Sequence, residues 1–457
     1  MKEFIRKRFH FVAVVVVAVL LLLTMFNNSF WKKSHILVWD VYGYSQYLSA
    51  GFIYKDIKDP VELYEIDSIY SPTGGSHYYG RHCATVGCKS VAFKYTMGNA
   101  VMMAPFYLTA HAITRNSNSF PADGYSEPYQ FAVSLSTLFW ATCGLSVLAL
   151  LLLRWFTPVV TGITILLIGL GTNYFYYASL ESGMTHIPAF FCFALALLAM
   201  FKWLEQKSWL YAGIFGLTTG LVALIRLPDL VFGIIPALLF VKAFFEAHGK
   251  DKKTLFLQAA MVVVVIATVF APQMVYWKYV AGTWFHYSYL DERFYFNDPH
   301  VMDGLFSYRK GWLLYTPVML FALAGIAVAV VKDRWLGIGI LLYTAVNIYV
   351  VFSWQTWWYG GSFGARALIQ SYAILAIPLA YVITALIPAF GSGKRGSKTL
   401  ASAVVVLLVF FTALNLFQTY QYKVGTLHYD SMSKKAYWEI IGKIRLTKEE
   451  YDRAYNE

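Results

Sequence analysis

The chain alternates between long apolar runs and shorter polar stretches along almost its whole length. Apolar runs of about 17 to 25 residues, long enough to cross a bilayer as a helix, recur as far as residue 420. Helices satisfy their own backbone hydrogen bonds in lipid, whereas isolated strands leave theirs unpaired. The pattern therefore predicts an all-α polytopic membrane protein.

About eleven of these runs are predicted to span the membrane. They cover residues 9–26, 129–153, 158–178, 184–204, 210–227, 229–246, 255–279, 312–332, 335–353, 366–388 and 399–420. The first run follows a basic N-terminus and lacks the small-residue cleavage motif of a signal peptide. We therefore expect it to remain as the first helix, with the N-terminus in the cytoplasm.

A further run, 97–113, is ambiguous because it is short and contains Pro105 and His111. Counting it as a span would place the basic clusters of several later loops outside the cell. Leaving it out places them in the cytoplasm, as the positive-inside rule expects. We therefore predict that this segment is a helix that lies on, or dips into, the outer face.

The predicted topology places all the longer connecting segments on the outer face. They are the loops 27–128, 280–311 and 354–365, and a tail that begins at residue 421. We divide the chain into a transmembrane domain, 1–420, which contains the large outer loop, and a short outer tail, 421–457. Functional residues concentrate on loops that a rigid scaffold holds, so the chemistry is expected at this face.

The composition agrees with a membrane protein and excludes one class of partner. Mean hydropathy is +0.53 and charged residues make up only 14% of the chain, compared with about 25% in soluble domains. The net charge is +12, but the basic residues lie mainly in short clusters between apolar runs. Membrane lipids, and not nucleic acid, are therefore the expected partners.

Two of the four cysteines share a polar stretch of the large outer loop. Cys83 and Cys88 are separated by four residues, whereas the other two cysteines lie inside apolar runs. An extracytoplasmic loop is exposed to an oxidising compartment, which favours a disulfide between this pair. A zinc site that includes His77 or His82 is the alternative.

Acidic residues mark the outer face at two points. Asp40 follows the first span, and Glu181 and His186 lie in the outer turn after the third. Asp40 is either a solvated loop residue or a catalytic base, and Glu181 and His186 are predicted to be catalytic with it. The alternative for a histidine such as His186 is a packed, hydrogen-bonded residue. The three side chains could bind a divalent cation, but their spacing matches no metal motif, so no cofactor is predicted and the metal stays open.

Basic residues lie at the same face. Arg366 ends a stretch with three glycines and opens a span, an arrangement that offers backbone N–H groups and a guanidinium to a phosphate. Arg309 and Lys310 precede another span, and Arg226 lies near the outer end of its helix. We predict that these three residues, together with Arg366, bind the phosphate of a lipid-linked donor. The alternatives are a flexible connector before Arg366, head-group anchors at Arg309 and Lys310, and a structural pair between Arg226 and Asp229.

Aromatic residues flank these charges. Trp39, Tyr42, Trp357 and Trp358 could stack on the faces of a sugar, although many aromatic residues here belong to the interfacial belt. A sugar on a polyprenyl phosphate carries a good anionic leaving group. Its transfer needs a base for the acceptor hydroxyl, for which Asp40 is suited, and positive charge on the departing phosphate.

Several motifs, taken in order along most of the chain, resemble the GT-C membrane glycosyltransferases, in particular the bacterial relatives of protein O-mannosyltransferases and aminoarabinose transferases. The motifs are Trp39-Asp40, Lys94-Tyr95-Thr96-Met97-Gly98-Asn99-Ala100, Met184-Thr185-His186, the helix end at Arg226, Gly311-Trp312-Leu313-Leu314-Tyr315-Thr316-Pro317 and Tyr359-Gly360-Gly361-Ser362-Phe363-Gly364-Ala365-Arg366. The resemblance implies an inverting transferase of the bacterial inner membrane, with its active site facing the periplasm or exterior and short juxtamembrane helices in the first outer loop.

One feature departs from that family. Many members carry two adjacent acids in the first loop, whereas here Asp40 is followed by Val41. Either Asp40 works alone or Glu181 supplies the second carboxylate. The resemblance implies a polyprenyl-linked sugar as donor, and leaves the sugar open, with a glycan, a lipid or a protein as acceptor.

Two other function classes fit parts of the pattern. A transporter or flippase of lipid-linked sugars would also need basic residues on the outer face. However, it should carry polar residues or broken helices at mid-membrane depth, and the apolar runs here are nearly free of mid-helix charge. A non-catalytic accessory subunit is the third alternative, because a fold by itself does not establish activity.

Overall fold

The computed structural model describes residues 2–76, 79–85, 87–391 and 395–455. The helices, in chain order, are α1 (Lys2–Asn28), α2 (Trp39–Leu48), α3 (Glu62–Tyr70), α4 (Gly98–Arg115), α5 (Glu127–Leu152), α6 (Pro158–Leu170), α7 (Tyr174–Ser179), α8 (His186–Gln206), α9 (Trp209–Ile225), α10 (Ile234–Glu246), α11 (Gly249–Ala281), α12 (Val301–Phe306), α13 (Trp312–Tyr315), α14 (Met319–Lys332), α15 (Arg334–Phe352), α16 (Tyr372–Gly391), α17 (Arg395–Lys423), α18 (Lys434–Ile440) and α19 (Lys448–Tyr455). Two short strands, β1 (Arg81–Cys83) and β2 (Val91–Phe93), form an antiparallel hairpin.

Eight of the described helices are long and apolar enough to cross a membrane, counted with the 3-10 turns that follow α1 and that precede α10 and α16. They are α1, α5, α8, α10, α11, α15, α16 and α17. Three shorter apolar helices, α6, α9 and α14, accompany them. The chain is therefore an all-α integral membrane protein, as predicted, while the number of eleven spans stays a prediction.

Two of the predicted runs are interrupted. The run 158–178 divides into α6 and α7 at Gly171, and the buried Asn173 after it bonds to the Tyr372 hydroxyl at 2.8 Å. The run 312–332 divides into α13 and α14 around Pro317, which lacks the N–H that a continuous helix requires. Hydropathy did not reveal these breaks because the residues on both sides of each break are apolar.

The ambiguous run 97–113 forms α4, which is not among the described helices that are long and apolar enough to span. It packs against α2 and α5 and against the end of α9. The first outer loop thus carries three short helices, α2, α3 and α4, and the hairpin. In the turn of that hairpin Cys83 and Cys88 form a disulfide with a Cα–Cα distance of 4.9 Å, whereas His77 lies outside the described residues.

The outer segments meet at one end of the helix bundle. The first loop joins the second through an ion pair between Lys94 and Glu292. The backbone N–H of Tyr295 in the second loop donates to the Ser353 carbonyl before the third, at 2.6 Å. The tail joins the second loop where Arg309 pairs with Asp430 at 3.0 Å. The long loops therefore share one face.

At the opposite end, basic residues of the short loops form their own ion pairs. Arg154 at the end of α5 pairs with Glu205 near the end of α8, and Lys207 pairs with Asp251 at the start of α11 at 2.9 Å. This separation of long, contacting loops from short basic loops agrees with the topology that the charge distribution predicts.

Cysteine labelling tests the predicted orientation. Single cysteines at Asn28 and Ser119, in a variant without Cys143 and Cys192, should react with an impermeant maleimide in intact cells, because Asn28 ends α1 at the predicted outer face and Ser119 lies in the predicted outer loop. Cysteines at Gln206 and Lys250 should react only after the membrane is permeabilised. Protection of the Ser119 cysteine in intact cells would show that α4 spans the membrane. Every later loop would then lie on the side opposite to the one predicted.

Candidate active site

Asp40 lies in the first turn of α2, at the centre of the face where the outer loops meet. The preceding residue, Trp39, adopts a left-handed backbone conformation with φ 47°, and its N–H donates to the Pro72 carbonyl at 3.1 Å. This turn directs the Asp40 side chain into the protein, where only 16% of it remains exposed. Asp40 is therefore a mostly buried carboxylate and not a solvated loop residue.

Both oxygens of the Asp40 carboxylate accept hydrogen bonds. Oδ1 accepts from the hydroxyls of Tyr79 and Tyr95, each at 2.6 Å. Oδ2 accepts from the Arg366 guanidinium, also at 2.6 Å. Arg366 and Asp40 are 326 residues apart in the chain, so the ion pair connects the first outer loop to the start of the α16 span.

A glycine makes the Tyr95 contact possible. Gly43 lies one turn after Asp40 in α2, on the same side of the helix. A Cβ atom at Gly43 would lie 2.6 Å from the Tyr95 ring, closer than packed atoms approach. The missing side chain allows the ring to lie against α2, so that its hydroxyl reaches the carboxylate.

Glu181 supplies a second carboxylate at the same guanidinium. Its Oε1 lies 3.7 Å from Arg366 Nη1, and 28% of its side chain is exposed. The turn that holds it includes Gly183 at φ +91°, where a Cβ would lie 2.3 Å from the Val41 side chain. Only glycine fits there, and it brings the Glu181 turn against α2. The guanidinium thus bridges Asp40 and Glu181.

The two carboxylates have opposite pKa shifts. Burial raises the pKa of Asp40, but the Arg366 guanidinium and the two tyrosine hydroxyls outweigh burial and hold the net pKa below its usual value. Burial raises the pKa of Glu181 to about 7, and the more distant Arg366 only partly opposes it. Asp40 is therefore ionised at neutral pH, whereas Glu181 titrates near neutrality.

Replacement of Glu181 by Gln should reveal that titration. A carboxyl with a raised pKa in the folded state stabilises the protein below the unfolded-state value of 4.5 and loses this contribution as pH rises through about 7. Relative to wild type, Glu181→Gln should therefore gain about 1–2 kcal/mol between pH 5 and pH 8, after a reduction for solvent screening. Thermal unfolding in detergent at both pH values measures the difference, and a constant difference would contradict it.

Two of the predicted phosphate ligands are engaged elsewhere. Arg309 donates to the Asp430 carboxylate at 3.0 Å and covers the Trp358 ring at 3.7 Å from the ring centroid. Lys310 is 2% exposed, donates to the carbonyls of Ser362 and Tyr429, and has its pKa lowered to about 7 by burial. Both residues fasten the tail to the outer loops, which corrects the sequence-based assignment of a free phosphate clamp.

His186 and Arg226 form a separate buried network. His186 Nδ1 lies 3.2 Å from the Arg226 guanidinium and 3.3 Å from Gln370 Oε1, and Gln370 in turn donates to Asp229 at 3.0 Å. Gln370 follows Arg366 by about one turn. His186 is thus the packed, hydrogen-bonded histidine that the sequence left as an alternative, and it supports the helix start that presents Arg366.

The structure does not assemble the metal site that was left open. Among the described residues, no group of three or more His, Cys, Asp or Glu side chains could hold a metal ion. The Arg366 guanidinium lies between Asp40 and Glu181, at the position that a cation bridging the two carboxylates would need. The residues present therefore fit a guanidinium and not a metal ion.

The predicted sugar-contacting aromatics divide into two groups. Trp39 is 53% exposed beside Tyr79, so it can contact a ligand. Tyr42 is fully buried, and its hydroxyl donates to Asp67 at 2.5 Å, which corrects its assignment. Trp357 is 9% exposed and therefore buried, whereas Trp358 is half-buried and the Arg309 guanidinium covers one face of its ring.

Sequence reasoning did not assign Tyr79 a role. Tyr95 belonged to a motif of the family resemblance but carried no function there. Both are tyrosines in an irregular loop, and 34 tyrosines in the chain offer no means of selecting them. The close approach of Gly43 is the only local signal, and it becomes informative only when the partner ring is known.

Two solved structures of the Archaeoglobus fulgidus oligosaccharyltransferase are similar to this chain. One is a complex with zinc and sulfate, with a TM-score of 0.54 and 15% identity over 97% of this chain and 57% of that one. The other is tethered to an acceptor peptide containing the NVT sequon, with a TM-score of 0.54 and 12% identity over 100% and 60%.

The chain thus spans less than two thirds of the length of these archaeal proteins. No protein-family model matches it, and no curated protein matches it. At 12–15% identity the likeness concerns the fold alone. The likeness nevertheless extends over nearly the whole of this chain, and this protein therefore has the GT-C fold, which it shares with the matching part of the archaeal oligosaccharyltransferase.

Proposed function

We propose that the chain is a glycosyltransferase that moves a sugar from a polyprenyl-phosphate-linked donor to an acceptor on the extracytoplasmic face of the bacterial cytoplasmic membrane. One observation carries the proposal: on a GT-C fold, Asp40 and Arg366 meet beside Glu181 at the end of the bundle where the outer loops converge. A base and a phosphate ligand are the two groups that transfer from a lipid phosphate requires.

The reaction is a single displacement. The acceptor hydroxyl oxygen attacks the anomeric carbon of the donor sugar, and its proton passes to the Asp40 carboxylate. The bond between the anomeric carbon and the phosphate oxygen breaks, and the polyprenyl phosphate leaves with the electron pair, its negative charge stabilised by Arg366. One displacement inverts the anomeric configuration.

The location of the charges favours an enzyme over a transporter. Asp40, Glu181 and Arg366 lie where outer loops and helix ends meet, whereas a transport path needs polar groups at mid-membrane depth. Trp39 provides an exposed aromatic face at the rim of this site. The acceptor, whether glycan, lipid or protein, would reach the site from the aqueous side.

The proposal is tested by transfer with defined donors. The purified chain in nanodiscs is incubated with a panel of polyprenyl-phosphate sugars and a membrane extract, and products are identified by mass spectrometry. We expect a mass increase of one sugar on one class of acceptor, with the anomeric configuration inverted by NMR. Absence of transfer from every donor of the panel would overturn the proposal.

A further inference from the structure

The Asp40 carboxylate accepts three hydrogen bonds in this structure. Oδ1 accepts two hydroxyl hydrogen bonds, from Tyr79 and Tyr95, which occupy both lone pairs of that oxygen. Oδ2 is the remaining oxygen, and it accepts from Arg366. A base must also have affinity for the proton that it removes. The ion pair with Arg366 stabilises the ionised carboxylate and lowers the proton affinity of Oδ2, so this contact opposes the role proposed for Asp40.

The Arg366 guanidinium would have to serve two partners, the Asp40 carboxylate and the donor phosphate. Its guanidinium forms one short bond to Asp40 at 2.6 Å and a looser contact to Glu181 at 3.7 Å. A phosphate is a bidentate partner for the same N–H groups. The carboxylate and the donor phosphate cannot both take the Nη2 donor that now faces Asp40.

Building on the function proposed above, we propose that the donor phosphate displaces Asp40 from Arg366, so that binding of the lipid-linked donor itself releases the base. The guanidinium turns from the carboxylate to the phosphate, and Oδ2 becomes available to the acceptor hydroxyl. Glu181 retains its contact with Arg366 and keeps the guanidinium in place during the exchange. A protein without donor therefore holds its base paired.

Tyr79 and Tyr95 are positioning residues in this exchange. Their bonds to Oδ1 do not involve Arg366 and persist when Oδ2 is released. Tyr95 is itself held against α2 by the close approach at Gly43. The carboxylate therefore keeps its orientation at the moment when its ion pair is lost.

The exchange predicts an unusual binding result. If Asp40 and the phosphate compete for Arg366, then Asp40→Asn should bind a short-chain polyprenyl phosphate more tightly than wild type. We expect the Kd to fall on the order of tenfold, which corresponds to about 1.4 kcal/mol. Calorimetry in nanodiscs measures this without any transfer. An unchanged or larger Kd would overturn the exchange.

Three variants separate the exchange from a general effect of charge. Glu292→Gln removes a negative charge at the same face, where Glu292 pairs with Lys94, and should leave the Kd nearly unchanged. Asp40→Asn combined with Arg366→Ala should lose the gain in affinity, because the guanidinium is absent. Asp430→Asn releases Arg309; tighter binding in this variant, and not in Asp40→Asn, would place the phosphate at Arg309 and overturn the proposal.

The tyrosines are tested by separating rate from binding. Tyr79→Phe and Tyr95→Phe should lower kcat while the Kd for polyprenyl phosphate and the unfolding temperature stay near wild type. A higher Kd for polyprenyl phosphate together with a lower unfolding temperature would show a merely structural role. Failure of wild type to transfer any sugar would overturn the proposed function, whereas the binding comparison would still decide whether Asp40 and phosphate compete for Arg366.

Discussion

Asp40→Asn is expected to reduce sugar transfer by about 10²- to 10⁴-fold, the usual contribution of a general base. The amide has nearly the same volume and still accepts the hydroxyls of Tyr79 and Tyr95 through its oxygen, but it cannot take a proton from the acceptor. Initial rates measured by mass spectrometry at saturating donor give the loss. Turnover near wild type would remove Asp40 from the mechanism.

The Asp40→Asn substitution should also lower the stability of the protein. Asp40 is mostly buried and paired with Arg366, so its loss leaves the guanidinium with the looser Glu181 contact alone. A modest fall in unfolding temperature is therefore expected beside the large loss of rate. Asp56→Asn is the matched control: Asp56 lies exposed in the same outer loop and accepts the backbone N–H of Asp59 at 2.9 Å, so its replacement should leave transfer unchanged.

Arg366→Ala should weaken binding of the polyprenyl-phosphate donor and slow transfer together, with a loss on the order of 10²- to 10³-fold in rate. The guanidinium contacts the phosphate in the ground state, and this contact strengthens as charge develops on the departing oxygen. Arg366→Lys should recover only part of the loss, because a point charge cannot form the bidentate pair. Donor titrations of the initial rate separate kcat from KM.

A matched variant locates the phosphate. Arg309→Ala removes a guanidinium from the same face, but one that binds Asp430 and covers Trp358. We expect it to loosen the tail, which limited proteolysis would detect, and to leave the KM for donor near wild type. If Arg309→Ala raises that KM while Arg366→Ala does not, Arg366 is only a helix anchor and the phosphate lies beside Arg309.

Local sequence signals predicted the architecture well. Hydropathy identified the apolar helices, and the distribution of basic residues predicted that the long loops share one face, which their mutual contacts support. Pro105 and His111, together with the charge pattern, set α4 apart from the predicted spans, and α4 is not among the described helices that are long and apolar enough to span. These properties depend on neighbouring residues and on composition, so they can be read from a single chain.

The site was only partly accessible to the same reasoning. Asp40, Glu181 and Arg366 were selected because unusual charge follows or opens a span, and the structure brings these three together. Tyr42 was selected by proximity in sequence, but an α-helix turns its side chain away from Asp40 and toward Asp67. Tyr42 is therefore close to Asp40 in the sequence but does not belong to its site.

The sequence by itself predicted the apolar helices, the grouping of the long loops at one face and the acids and bases available there, because hydrophobic runs and charge bias are local properties. Only the tertiary structure decided which of these groups meet. Arg366 reaches Asp40 across 326 residues, Arg309 is turned to the tail by Asp430, and Tyr79 and Tyr95 are brought in by loop packing. Such pairings depend on how helices and loops pack in three dimensions, and no periodicity along the chain encodes them.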